Sequence, residues 1–176
     1  MDESNAPPAL ILPEALVAQG FTLRRETDAD LPFLIQAYGA SRDEEMAMVP
    51  WTMDEKNAFL LQQFGMQRKH YYAHYPDAAY DIIEQHGRPV GRIYINERQT
   101  RIGLMDIVLM PSDRDKGLGT ALIRALQDYA TTRGKGIDLF VEPYKPAYNL
   151  YRRLGFAAIN DDPINIEMEW LPDGVR

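Results

Sequence analysis

No cysteine occurs among the 176 residues, which rules out disulfides, thiolate metal sites and a cysteine nucleophile. Long apolar runs are also missing; a membrane-spanning helix needs about 20 mostly apolar residues, and no stretch comes near that. Basic residues are in deficit, 19 against 26 acidic ones, for a formal net charge of −7. That balance argues against a general nucleic-acid binder, which presents a basic face to phosphates. It mildly favours cationic partners, and it equally serves solubility. The chain opens on Asp2 and Glu3 rather than on a basic segment followed by an apolar one, so no secretory signal is expected. Repeats and low-complexity tracts are absent as well. A cytoplasmic protein with one well-buried core is the expectation.

What is present reads as alternating strands and helices. Residues 1–20 carry Pro7, Pro8 and Pro13 around "ALILPEAL" and form an N-terminal extension, packed on the domain or partly disordered. "FTLRRET" alternates as a strand, and "DADLPFLIQAYGAS" as a helix with Asp28 as N-cap. "RDEEMAMVPW" is a connector broken by Pro50, and a second helix runs from Met53 to about Tyr75, stopped by Pro76. "AYDIIEQ" and "VGRIYINER" flank a turn at "HGRP" as a hairpin, and "RIGLMDIVLM" is the fourth strand. Leu118, Leu122, Ala125, Leu126 and Tyr129 then recur at helical spacing until Gly134. "IDLFVE" is the fifth strand, "PAYNLYRRLGF" a helix ending at Gly155, and "INIEMEW" the last strand. The predicted fold class is α/β (α+β): a mixed, largely antiparallel central sheet flanked by helices.

"RDKGLGTALI", from Arg114 to Ile123, sets two glycines and two cations directly before the helix that follows the fourth strand. The first amides of a helix lack intrahelical partners, and the helix dipole attracts anions to that end. Glycine lets those amides approach a phosphate without a Cβ in between, and Arg114 and Lys116 add charge-assisted contacts. A pyrophosphate suits the loop. A tight turn with solvated charges is the bland alternative, and a third glycine or a Walker spacing is absent.

Arg114-x-x-Gly117-x-Gly119, placed after a strand ending "IVLMP" and before an amphipathic helix, resembles the pyrophosphate loop of the GNAT N-acetyltransferase superfamily. "KPAYNLYRRLGF" resembles that family's N-x-A-x-x-L-Y-x-x-x-G-F segment, and the element order is similar over residues 21–171, within a single domain of 21–176. The resemblance implies fourth and fifth strands splayed into a V, with acetyl-coenzyme A as cosubstrate in the gap. It implies that the backbone of Ile107, Val108 and Leu109 pairs with the pantetheine arm, and that the amides of Arg114, Asp115, Lys116, Gly117, Leu118, Gly119 and Thr120 hold the pyrophosphate. Lys145 stands where the family often has a cofactor-contacting asparagine, so a contact to cofactor phosphate replaces it or the contact is lost.

The implied reaction is acetyl transfer to a primary amine of a small molecule or peptide by direct attack, with no acyl-enzyme. It requires an ammonium to lose its proton, an oxyanion to be stabilised by a backbone N–H near Leu109, and a thiolate to be protonated. Tyr151 matches the family's general-acid tyrosine; as a residue alone it reads as core packing. The base is open. Asp106 lies beside Met105, the position at which polyamine acetyltransferases of the superfamily carry glutamate; a structural hydrogen bond is its other reading. Glu142, Glu97 or water are the alternatives. Glu44, Glu45 and Trp51 fall where family members line the acceptor pocket, against the reading of a solvated loop. His70 and His74 have the spacing of a metal pair but no third ligand nearby, so packing with Tyr71, Tyr72 and Tyr75 is preferred and no metal is expected. No membrane or nucleic-acid partner is expected, and a homodimer is one assembly the class allows. The competing function is a non-catalytic acyl-coenzyme A binding or sensing module; a phosphate-binding domain of another fold is a third.

Overall fold

The computed structural model describes residues 10–175; the first part of the expected N-terminal extension, residues 1–9 with Pro7 and Pro8, lies outside the described residues. A seven-stranded sheet organises the chain, in the order β1-β2-β3-β4-β5-β7-β6. Its strands are β1 (Phe21–Arg25), β2 (Ala79–Gln85), β3 (Arg88–Glu97), β4 (Arg101–Leu109), β5 (Gly136–Val141), β6 (Ala157–Ala158) and β7 (Ile166–Trp170). All neighbours pair antiparallel except β4 and β5, which run parallel. The mixed, mostly antiparallel sheet expected from the residue pattern is therefore the fold.

Helices cover both faces: α1 (Glu14–Ala18), α2 (Leu31–Ala40), α3 (Asp43–Ala47), α4 (Met53–His74), α5 (Leu118–Thr132) and α6 (Pro146–Arg153). The apolar stripe of α5 buries Leu118, Leu122, Ile123, Leu126 and Ala130 against Ile93, Ile102, Leu104 and Ile137. On the opposite face α2 and α4 place Leu34, Tyr38 and Phe64 over Ile82. The β2–β3 turn is read correctly from "HGRP": His86 and Gly87 both take positive φ, 50° and 77°, as a two-residue hairpin loop requires.

Two local readings are corrected, and in the described part of the extension the packed alternative is the one seen. Asp28 is not the cap of the first long helix: Thr27 caps a short 3-10 turn, within which Asp30 accepts a bond from the Thr27 amide at 2.8 Å, and Asp30 is the residue at the N-cap of α2. The connector contains α3, whose five residues bury nothing and so carry no apolar period to detect. The described part of the extension includes α1, and Leu10 and Leu16 are members of the main core, 2% and 6% exposed.

One irregularity shapes the centre of the sheet. Tyr94 stands opposite Asp106 but Ile95 stands opposite Leu104, so Met105 is an extra residue in β4. Side-chain alternation reverses there. Ile102 and Leu104 pack toward α5 before the bulge and Ile107 and Leu109 after it, while Met105 joins the tyrosines under α4.

Candidate active site

The parallel pairing of β4 with β5 stops at Leu104 opposite Leu139. Beyond that point the strands part, and a cleft of about 570 Å³ opens between them. Its walls are Met105 to Leu109 of β4, Phe140 to Glu142 at the end of β5, the loop before α5, the start of α6 and Ala40 to Glu44.

The free edge of β4 has a defined polarity. The Met110 amide bonds to the Val90 carbonyl at 2.8 Å. Antiparallel alternation then turns the backbone groups of Asp106 and Val108 toward β3, and those of Ile107 and Leu109 toward the gap. Arg114 agrees with this: its Nε donates to the Leu109 carbonyl at 2.9 Å. Its Nη2 reaches the Ala40 carbonyl at 3.4 Å, so the guanidinium ties the two walls together.

At the start of α5 the loop takes left-handed backbone twice, at Asp115 (φ 59°) and Gly117 (φ 82°). Gly117 is the N-cap and no side chain caps the first turn, which leaves its leading amides without partners. The reason for glycine differs at the two positions. Gly117 needs its positive φ, and a Cβ there would meet nothing within 4 Å. Gly119 is helical, and a Cβ would only touch Leu150 at 3.7 Å and Leu109 at 4.0 Å, both at the cleft. The fold itself would accept a side chain at 119. Open space over uncapped helix amides fits an anionic group such as a pyrophosphate, and the gap-facing edge of β4 fits an extended arm.

The other expected residues are distributed as follows. Thr120 and Asp115 line the cleft, Leu118 is core, and Lys116 is exposed beside the loop. Lys145, the N-cap of α6, places its ammonium 2.7 Å from Glu45 and 3.2 Å from the Ser41 carbonyl. Glu44 lines the cleft, whereas Glu45 holds Lys145 and accepts from the Tyr144 hydroxyl at 3.2 Å. Glu142 pairs with Arg42 at 3.5 Å. Trp51 packs edge-on against Phe59 with ring centres 5.2 Å apart and is not among the cleft residues. Glu97 is engaged away from the cleft by Tyr129 and Lys135, at 2.7 and 2.6 Å. His70 and His74 stack on each other at 4.2 Å. Among the described residues no group of three or more His, Asp or Glu is arranged to hold a metal.

Tyr151 and Asp106 both line the cleft. Tyr151 is 5% exposed and its ring packs on Phe156 at 5.6 Å. Burial, together with the charge of Asp106, lifts its hydroxyl well above the ordinary tyrosine range, so it stays protonated. Asp106 accepts from Arg92 Nε at 2.8 Å and again from Nη2. Arg92 is a residue that the reading of the sequence missed. Its signal was a lone cation inside the otherwise apolar stretch "VGRIYI", at a position that has to face one side of the sheet.

Comparison with known proteins agrees with this geometry. The model of the Acetyltransferase (GNAT) family matches residues 43–156. Streptothricin acetyltransferase of Streptomyces lavendulae is 42% identical over 60 residues, covering 32% of this chain and 31% of its own. An uncharacterized N-acetyltransferase of Methanocaldococcus jannaschii is 34% identical over 84 residues, covering 43% of this chain and 37% of its own. The chain thus spans about a third of the length of the curated relatives it matches. The PaiA N-acetyltransferase of Thermoplasma acidophilum, solved in complex with coenzyme A, superposes with a TM-score of 0.67 at 16% identity, over 86% of this chain and 99% of that one. A sheet parted between β4 and β5, a glycine loop at the parting and a family match that spans both place this chain in the GNAT acetyltransferase family.

Proposed function

We propose that the protein transfers the acetyl group of acetyl-coenzyme A to a primary amine of a cationic small molecule or peptide, by direct attack and without an acyl-enzyme. The observation that carries this reading is the parting of β4 from β5 beyond Leu104, with Tyr151 and Asp106 both on the resulting cleft. Acetyl-coenzyme A supplies the activated acetyl group. The uncapped amides at Gly117 to Thr120 would hold its pyrophosphate, and the gap-facing groups of Ile107 and Leu109 its arm. A backbone N–H at the parting is the donor for the developing oxyanion.

Asp106 receives the acceptor's ammonium, and the proton leaves through water. As the nitrogen–carbon bond forms and the carbon–sulfur bond breaks, Tyr151 gives its proton to the departing thiolate and regains one from solvent. Glu44 at the rim adds attraction for a cation. By their names, streptothricin acetyltransferase acts on streptothricin and the spermidine N-acetyltransferase of Vibrio cholerae on spermidine, the second solved with coenzyme A and spermine. A cytoplasmic location suits this cosubstrate, and the homodimer expectation is checked by mass in solution.

The test is release of coenzyme A thiol with spermidine, cadaverine and lysine methyl ester as acceptors. Turnover with any of them supports the reading. Binding of acetyl-coenzyme A without turnover on a wider amine panel would establish the non-catalytic module instead.

A further inference from the structure

Arg92 is the largest of the fully enclosed side chains, at 1% exposure. It sits on β3 diagonally from Asp106, on the face beneath α4. Its guanidinium donates twice to Oδ2 of Asp106, once to Gln67 Oε1 at 3.0 Å, and lies 4.7 Å from the centre of the Tyr94 ring. The Tyr94 hydroxyl donates in turn to Glu26, which also receives Arg68 at 2.7 Å and the Tyr72 hydroxyl. Guanidinium and ring are therefore each held by specific partners.

The pair is asymmetric. The Arg92 side chain is 2% exposed and that of Asp106 is 22% exposed, on the cleft. Both bonds from Arg92 reach the same oxygen, Oδ2. Arg92 thus leaves the other carboxylate oxygen of this cleft-lining residue unused. An ion pair with only a packing role would gain nothing from leaving one partner at the wall of a cavity, since a well-packed apolar pair serves as well. Asp106 is also close enough for its charge to act on Tyr151. The Asp106 carboxylate and the proposed acid thus line the same cleft.

We propose that Arg92 is a positioning residue for the acceptor: by holding Oδ2 it fixes the second oxygen of Asp106 in the cleft as the anchor for the acceptor's ammonium. This rests on the acetyl transfer proposed above. A lysine cannot replace the planar fork, because its single ammonium fixes no carboxylate orientation.

Thiol release is followed with spermidine, cadaverine and lysine methyl ester for the wild type, Arg92→Lys, Asp106→Asn and the double variant. For Arg92→Lys the acceptor KM should rise about tenfold, with kcat within about threefold and acetyl-coenzyme A affinity within about twofold. In the Asp106→Asn background the same change should add almost nothing, because the residue it orients is gone. A lowered melting temperature with unchanged acceptor KM would overturn the inference, and so would equal KM rises in both backgrounds. Should Arg92→Lys fail to fold, Gln67→Leu, which removes one support of the guanidinium, should raise KM about twofold to threefold with the same dependence on Asp106. Where only the wider amine panel yields an acceptor, the same series is run with that acceptor; wild type that binds acetyl-coenzyme A and acetylates nothing on the wider panel overturns the proposed function and the inference together, and intact wild-type turnover with the wrong KM pattern overturns the inference alone.

Discussion

Lys145 and Glu45 join the two sides of the cleft, ammonium to carboxylate, at 2.7 Å across a chain separation of 100 residues. Burial opposes the charged form of Glu45, but the bond from Lys145 and that from Tyr144 outweigh it, and the carboxyl sits below its ordinary value. Arg42 and Glu142 make a second tie of the same kind at 3.5 Å. The ammonium of Lys145 is thus held by the neighbouring wall, at Glu45 and the Ser41 carbonyl.

Lys145→Asn should therefore change acetyl-coenzyme A affinity by less than about threefold and leave its salt dependence as it was, because the ammonium neutralises Glu45 rather than a phosphate. Calorimetric titration at two salt concentrations checks this. A loss above about tenfold that grows at low salt would instead place Lys145 on the cofactor's phosphates.

Gly119 is the sharper probe of the pyrophosphate loop. Gly117 holds φ 82°, and any side chain there costs roughly 1 kcal/mol of strain whatever binds. Gly119→Val should leave the fold intact, since its Cβ meets nothing nearer than 3.7 Å. It should still abolish most of the rise in melting temperature that acetyl-coenzyme A produces by binding the native state. Equal thermal shifts in wild type and variant reject the loop as the phosphate site.

Tyr151→Phe keeps the ring against Phe156 and removes the proton. The leaving thiol has a pKa of about 8.5, so thiolate can depart without help and its acid is useful rather than indispensable. Turnover should fall by roughly tenfold to several hundredfold, with cofactor affinity little changed. Full turnover in a folded variant, with transfer shown to be rate-limiting, removes the acid role and leaves a core tyrosine.

Acid stability should depend on Asp30. Its carboxylate takes Arg24 at 2.7 Å on each oxygen and caps the turn before α2 through the Thr27 amide. The Arg24 bond is the main cause that draws Asp30 below its ordinary 3.8, against its burial. With the folded value depressed, the stabilisation is present above the unfolded value and is lost as pH falls through the folded one. Asp30→Asn should cost about 1–2 kcal/mol at pH 7. The gap between wild type and variant should close below the ordinary carboxyl range, as read from urea unfolding across pH. A gap that stays constant into acid would deny the carboxylate this role.

Much of the fold was legible because its signals are short. Leu118, Leu122 and Leu126 recur at helical spacing in one stretch, "HGRP" states a tight turn, and Gly117 and Gly119 mark the start of α5. Such patterns express backbone geometry over a dozen residues or fewer. They placed the glycine loop and Tyr151 on elements that the structure brings to one cleft. α3 and the two-residue β6 were not legible, since neither is long enough to show a period.

The partners of the charged residues were decided by tertiary structure alone. Strict alternation along β4 would set Asp106 on the same face as Ile102 and Leu104, toward α5. One extra residue at Met105 turns it to the other face, beside Arg92. No periodic signal announces a one-residue bulge, and the pairs Arg92–Asp106 and Lys145–Glu45 exist only once register and loop packing have set strand against strand. Sequence by itself determined where the longer elements form and where the glycine-bearing start of α5 lies, because those depend on neighbours along the chain. Which carboxylate faces the cleft, and which cation holds it, depends on neighbours across the sheet.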